Sequence, residues 1–161
     1  MSIRILVTGG TFDKEYDEIH GTLAFRETNL PWMLEQGRCR LDLEFEALMM
    51  IDSLEMTDDD RRRIADRCRE CPEPRIVITH GTDTMVDTAR VLADEVPDKT
   101  IVLTGAMIPI DFGSSDGLFN LGGALGVVQV LGPGVYITMN GRVWDWHAVR
   151  KNRETGVFEA V

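Results

Sequence analysis

Five short runs rich in aliphatic and β-branched residues recur along this chain: IRILVT (3–8), LDLEFEALMM (41–50), RIVITH (75–80), TIVLTG (100–105) and GVYITMN (134–140). Three of them are nearly continuously apolar, as a strand buried on both faces must be. A strand covered on both faces needs helices above and below its sheet, and helical patterns fill the intervals. NLPWMLEQG carries Pro31 near its start and Gly37 at its end. TDDDRRRIADRCREC opens on Thr57 and places acidic residues in its first turn, where a helix dipole favours them. DTMVDTARVLADE and DGLFNLGGALGVVQVLG complete the set. This alternation predicts an α/β fold, a doubly wound and mostly parallel sheet with helices on both faces. The run at 41–50 alternates Leu41, Leu43 and Phe45 with Asp42, Glu44 and Glu46, which places it near an edge. The segment 11–28, TFDKEYDEIHGTLAFRET, suits neither a helix nor a core strand; its polarity and turn content predict a β-hairpin flap directly after the first strand.

At 161 residues the chain fits one domain with a sizeable core. Its net charge of −10 argues against nucleic acid and against anionic membrane surfaces, because both would repel it. No apolar run has the length of a membrane span, and the N-terminus does not read as a secretory signal. A cytoplasmic protein is expected, although a mature form without its leader would look the same. Cys68 and Cys71 form a C-x-x-C, but it closes a helix before Pro72 instead of opening one after a strand, and no second pair completes a metal site. A structural role is expected for both, and no metal.

Ligands of open α/β sheets bind at the carboxyl ends of the strands. The ends here read Gly9-Gly10-Thr11, Asp52-Ser53, Gly81-Thr82-Asp83, Gly105-Ala106-Met107 and Asn140-Gly141. Hydroxyls beside glycine or carboxylate recur at several ends, which one tight turn would not require. Neither glycine-rich nucleotide fingerprint is present, so a phosphate-binding reading of Gly9-Gly10-Thr11 is disfavoured. Each residue also has a plain structural reading: Thr82 or Asp83 as a helix cap, Thr11 as a partner of its own turn. A threonine nucleophile needs a proton acceptor. His20 falls in the flap, His80 at a strand end and His147 in a late segment, and no G-x-S-x-G elbow exists. Tyr16 and the lysines Lys14, Lys99 and Lys151 remain; Lys99 precedes a strand and so sits at the wrong end of the sheet.

Taken in order, TGGTF (8–12), DSLEMT (52–57), HGTDTM (80–85), TGAMIP (104–109), SSDGLFNL (114–121) and VRKN (149–152) resemble the bacterial-type L-asparaginase and glutaminase-asparaginase family over almost the whole chain. The resemblance implies hydrolysis of the side-chain amide of L-asparagine through an acyl-enzyme, with a side activity on glutamine and without metal or cofactor. Thr11 would be the nucleophile, assisted by Tyr16; Thr82, Asp83 and Lys151 would form a second triad. Ser53 and Asp83 would hold the substrate's α-carboxylate and α-amino groups, with Gly10, Asp52, Gly81, Ala106 and Met107 lining the site. The resemblance also implies a homodimer or homotetramer. Three departures stand out. The usual C-terminal domain is absent, so 1–161 reads as a single catalytic domain; Leu54 replaces a frequent glutamine; Ile108 replaces a frequent basic residue. Two other readings stay open: a domain that binds an amino acid without turnover, and an amide-handling domain of a larger assembly.

Overall fold

The computed structural model describes residues 2–161. Alternate residues of the central strands enter two different cores, which is the signature of a sheet covered on both faces. Ile3, Ile5 and Val7 of β1 (Ile3–Gly9), Val77 of β5 (Arg75–Thr79) and Val102 of β6 (Thr100–Thr104) pack with α1 (Leu30–Gln36) and α4 (Gly117–Val128). Leu6, Ile76, Ile78, Ile101 and Leu103 face the other way, onto α2 (Asp58–Glu70) and α3 (Met85–Glu95). The remaining sheet strands are β4 (Leu43–Ile51), β7 (Gly134–Met139) and β8 (Arg142–Asp145), and the strand order is β4-β1-β5-β6-β7-β8. Every neighbouring pair is parallel except β7 and β8. The expected edge position of the 41–50 run is observed, with Phe45 left 45% exposed.

The segment after β1 makes one 3₁₀ turn, Thr11–Asp13, and then an antiparallel hairpin of β2 (Lys14–Asp17) and β3 (Thr22–Phe25). Asp13 closes its base: the buried carboxylate accepts from Thr28 Oγ1 at 3.0 Å and from the Asn29 N–H at 2.8 Å. Burial dominates over these donors and raises the pKa of Asp13 above the usual carboxylate range. The sequence runs did not anticipate β8 or the terminal hairpin of β9 (Val149–Asn152) and β10 (Val157–Ala160). Asn140 (φ 50°) and Gly141 (φ 83°) form the two-residue turn into β8, so this strand end is occupied by a hairpin. Cys68 and Cys71 are free and buried in the core, and burial pushes the Cys68 thiol up to about 12.

Helix α2 carries a reciprocal cap. The Asp60 N–H donates to Thr57 Oγ1 at 3.2 Å, and the Thr57 N–H donates to Asp60 Oδ2 at 2.8 Å. Thr57→Ala removes the first of these; urea unfolding is expected to show a loss of about 1 kcal/mol with an unchanged m-value.

Candidate functional site

The strand-end loops approach each other closely, and glycine is what permits it. A Cβ on Gly10 (φ +85°) would lie 2.4 Å from the Gly81 nitrogen, and one on Gly81 would lie 2.5 Å from Ser53 Oγ. A Cβ on Gly105 would lie 2.4 Å from the His80 carbonyl oxygen. The loops after β1, β4, β5 and β6 therefore pack against one another at one end of the sheet. Thr84 adds a cross-tie, donating its hydroxyl to the Ser53 carbonyl at 2.7 Å.

His80 is part of this scaffold. It is fully buried, with Nδ1 2.7 Å from the Gly81 carbonyl and Nε2 2.8 Å from Thr88 Oγ1. A carbonyl only accepts, so Nδ1 carries the proton and Nε2 accepts from Thr88. Both ring nitrogens are committed, and burial lowers the imidazole pKa to about 4. His80 fixes the Gly81 loop as a neutral group.

Lys151, from β9, reaches the same end of the sheet. Its ammonium donates to Thr82 Oγ1 at 2.7 Å and to Asp83 Oδ1 at 2.8 Å. Thr82 is 5% exposed, so this contact is largely shielded from water. Arg153 also lies on Asp83, 3.9 Å from its carboxylate and donating to its backbone carbonyl at 3.3 Å. Asp52 pairs with Lys14. That hydrogen bond is the main cause holding the Asp52 carboxyl below its usual range; burial opposes it, the Leu54 N–H assists, and the charges of Lys14 and Lys151 add to it. Ser53 is 1% exposed and its Oγ has no partner among the described residues.

Thr11 opens the 3₁₀ turn half-buried, with its hydroxyl bound to no group among the described residues. Tyr16 lies on β2 opposite Leu23, 51% exposed, and makes no hydrogen bond to Thr11. The loop after β6 carries buried Ala106 and half-buried Met107. It is held by a polar network that sequence reasoning missed. Asp116 Oδ1 accepts from the Met107 N–H at 2.9 Å, while Oδ2 accepts from Asn120 at 2.9 Å and Asn140 at 3.0 Å. Asn120 also donates to the Gly105 carbonyl at 2.8 Å. The Asp and Asn residues of SSDGLFNL were visible as a motif, but their partners beyond it lie in the loops after β6 and β7. Among the described residues no cluster of three or more His, Cys, Asp or Glu could hold a metal. A cavity of about 470 Å³ lies apart from these loops, between α1 and α4, lined by residues such as Met33, Leu121 and Leu125.

Residues 2–160 match the family model described as "Asparaginase, N-terminal". The chain belongs to the asparaginase family. It is 33% identical to L-asparaginase 2 of Escherichia coli over 166 aligned residues, covering 97% of this chain and 48% of that protein. It is 34% identical to a glutaminase-asparaginase of Pseudomonas fluorescens over 125 residues, 71% of this chain and 34% of that protein. The solved thermostable L-asparaginase of Thermococcus kodakarensis superposes with a TM-score of 0.87 at 29% identity, covering 100% of this chain and 51% of that one. This asparaginase-family chain thus spans about half the length, or less, of the relatives it matches.

The scaffold of this asparaginase-family domain carries a pH signature. Between the ordinary histidine value of 6.5 and about 4, an unfolded chain binds a proton that folded His80 refuses. Stability should therefore fall as pH drops through that window, by on the order of 3 kcal/mol from this group. His80→Gln, which keeps a donor and an acceptor, should flatten that part of the pH dependence of the urea midpoint. Gly10→Ala meets backbone at the Gly81 nitrogen and should cost more than about 3 kcal/mol, read by thermal unfolding.

Proposed function

We propose that this domain hydrolyses the side-chain amide of L-asparagine to L-aspartate and ammonia through an acyl-enzyme on Thr11. The observation that carries this reading is the Lys151 ammonium bridging Thr82 Oγ1 and Asp83 Oδ1, on the loop that packs against Gly10 and so adjoins Thr11. Thr11 Oγ attacks the amide carbon and its proton passes to a nearby acceptor. The tetrahedral intermediate collapses, ammonia leaves with the proton returned, and water then cleaves the ester to release aspartate. Backbone N–H groups of the strand-end loops, together with Thr82, receive the developing oxyanion. Lys151 places positive charge on Thr82 and lowers its proton affinity, so that hydroxyl hands protons to and from the reacting atoms. Asp83 salt-links the substrate's ammonium, a contact worth roughly 1.5–3 kcal/mol. Tyr16 assists Thr11 only if its hydroxyl moves, which fits a residue on a two-stranded hairpin.

The names of the E. coli and P. fluorescens relatives support asparagine as substrate, with glutamine as a side substrate. The chemistry as written uses no metal and no cofactor. Assembly as a homodimer or homotetramer belongs to the same proposal, and Phe119 (66% exposed), Trp32 (50%) and Phe112 (48%) offer apolar surface for it. A domain that binds the amino acid without turnover is the competing reading. Ammonia release from L-asparagine, L-glutamine and D-asparagine decides between them. The first should be fastest; Thr11→Ala should abolish release while calorimetry still shows binding, and Thr82→Val should slow it by about a hundredfold or more. A wild-type protein that binds asparagine and releases no ammonia would sink the enzyme reading.

A further inference from the structure

Lys14 ends the turn that Thr11 opens, its backbone N–H donating to the Thr11 carbonyl. Its side chain leaves the hairpin and pairs with Asp52, the residue immediately before Ser53. An ammonium has three N–H donors. Among the described residues, the Asp52 carboxylate is the one hydrogen-bond acceptor that Lys14 Nζ engages. The head also lies over the ring of Phe25, its cross-strand partner, whose centroid lies 5.6 Å from Nζ. The side chain is 19% exposed, so its remaining donors are partly shielded from water yet not taken by protein.

A second observation points the same way. The Ser53 hydroxyl is buried, next in sequence to Asp52, and has no partner among the described residues. Buried hydroxyls are normally satisfied, and one that the protein itself leaves unpaired suits a ligand acceptor. The other lysine of the site, Lys151, already gives two donors to Thr82 and Asp83. The site thus offers both signs of charge: an ammonium held by Asp52, the residue before Ser53, and a carboxylate at Asp83. A free amino acid carries both complementary charges on one carbon.

We propose that Lys14 is a specificity-determining residue whose ammonium, with the Ser53 hydroxyl, receives the α-carboxylate of the substrate and so restricts the site to free amino acids. The proposal rests on the amino-acid substrate of the preceding reading, but not on turnover. Asp52 acts through Lys14: it holds the ammonium at the loop carrying Ser53 and ties the base of the hairpin to that loop. A peptide or ester, lacking the anionic carboxylate, loses this contact and leaves Lys14 and Ser53 without their acceptor.

The test is calorimetric titration of L-aspartate and of its α-methyl ester against the wild type, Lys14→Met and Lys14→Arg. The wild type is expected to bind aspartate about tenfold or more tightly than the ester. Lys14→Met should weaken aspartate by a similar factor and leave the ester unchanged, while Lys14→Arg should keep most of the preference. Equal loss of both ligands would reveal a merely structural role for Lys14 and overturn the proposal. So would a wild type that does not distinguish the two ligands, or binds neither. Selective aspartate binding by a protein that releases no ammonia would instead uphold the specificity role and sink catalysis.

Discussion

The contact between Gly10 and Gly81 is the constraint on which the rest of the site depends. Two neighbouring parallel strands end in loops whose backbones come so near that no Cβ fits between them. Because Gly81 in turn rests on Ser53, a single line of close contact joins the loops after β1, β5 and β4. The loops carrying Thr11, Thr82 and Ser53 are brought together by the backbone contact of Gly10 with Gly81 and by the Ser53 side chain resting on Gly81. The Gly10–Gly81 contact cannot relax by rotating a side chain, so it fixes the spacing of these two loops more firmly than a surface ion pair would.

Charge is then laid onto this frame in two ion pairs of similar design. Lys151 pairs with Asp83 and Lys14 with Asp52. The lysines arrive from outside the parallel sheet, Lys14 from the hairpin and Lys151 from the terminal strand pair. Both elements are small antiparallel additions, and two-stranded ribbons are marginal alone. They are held by contacts to larger parts: Asp13 to the start of α1, and Phe158 into the core shared with α2 and α3.

Much of the fold was legible because its signals are local. Thr57 with acids in the following turn marked α2 to within a residue at each end, and the alternation of Leu43 and Phe45 with Glu44 and Glu46 marked an edge strand. Strands β8, β9 and β10 were missed because each is four residues long, too short for a period of two to stand out. The Asn140-Gly141 pair was the available signal for β8, and it read as a loop end because the strand beyond it had not been recognised. His80, a poor candidate base from its place at a strand end, has both ring nitrogens committed to Gly81 and Thr88.

The sequence alone determined which residue types stand at the carboxyl ends of buried strands, since burial pattern and turn chemistry are properties of consecutive residues. Only the tertiary structure decided which of those residues meet. Lys151 and Thr82 are 69 positions apart, Lys14 and Asp52 are 38 apart, and Asp116 finds its partner Asn140 across 24. Contacts at such separations are set by the order of strands in the sheet and by how closely loop backbones approach, and no local pattern encodes either.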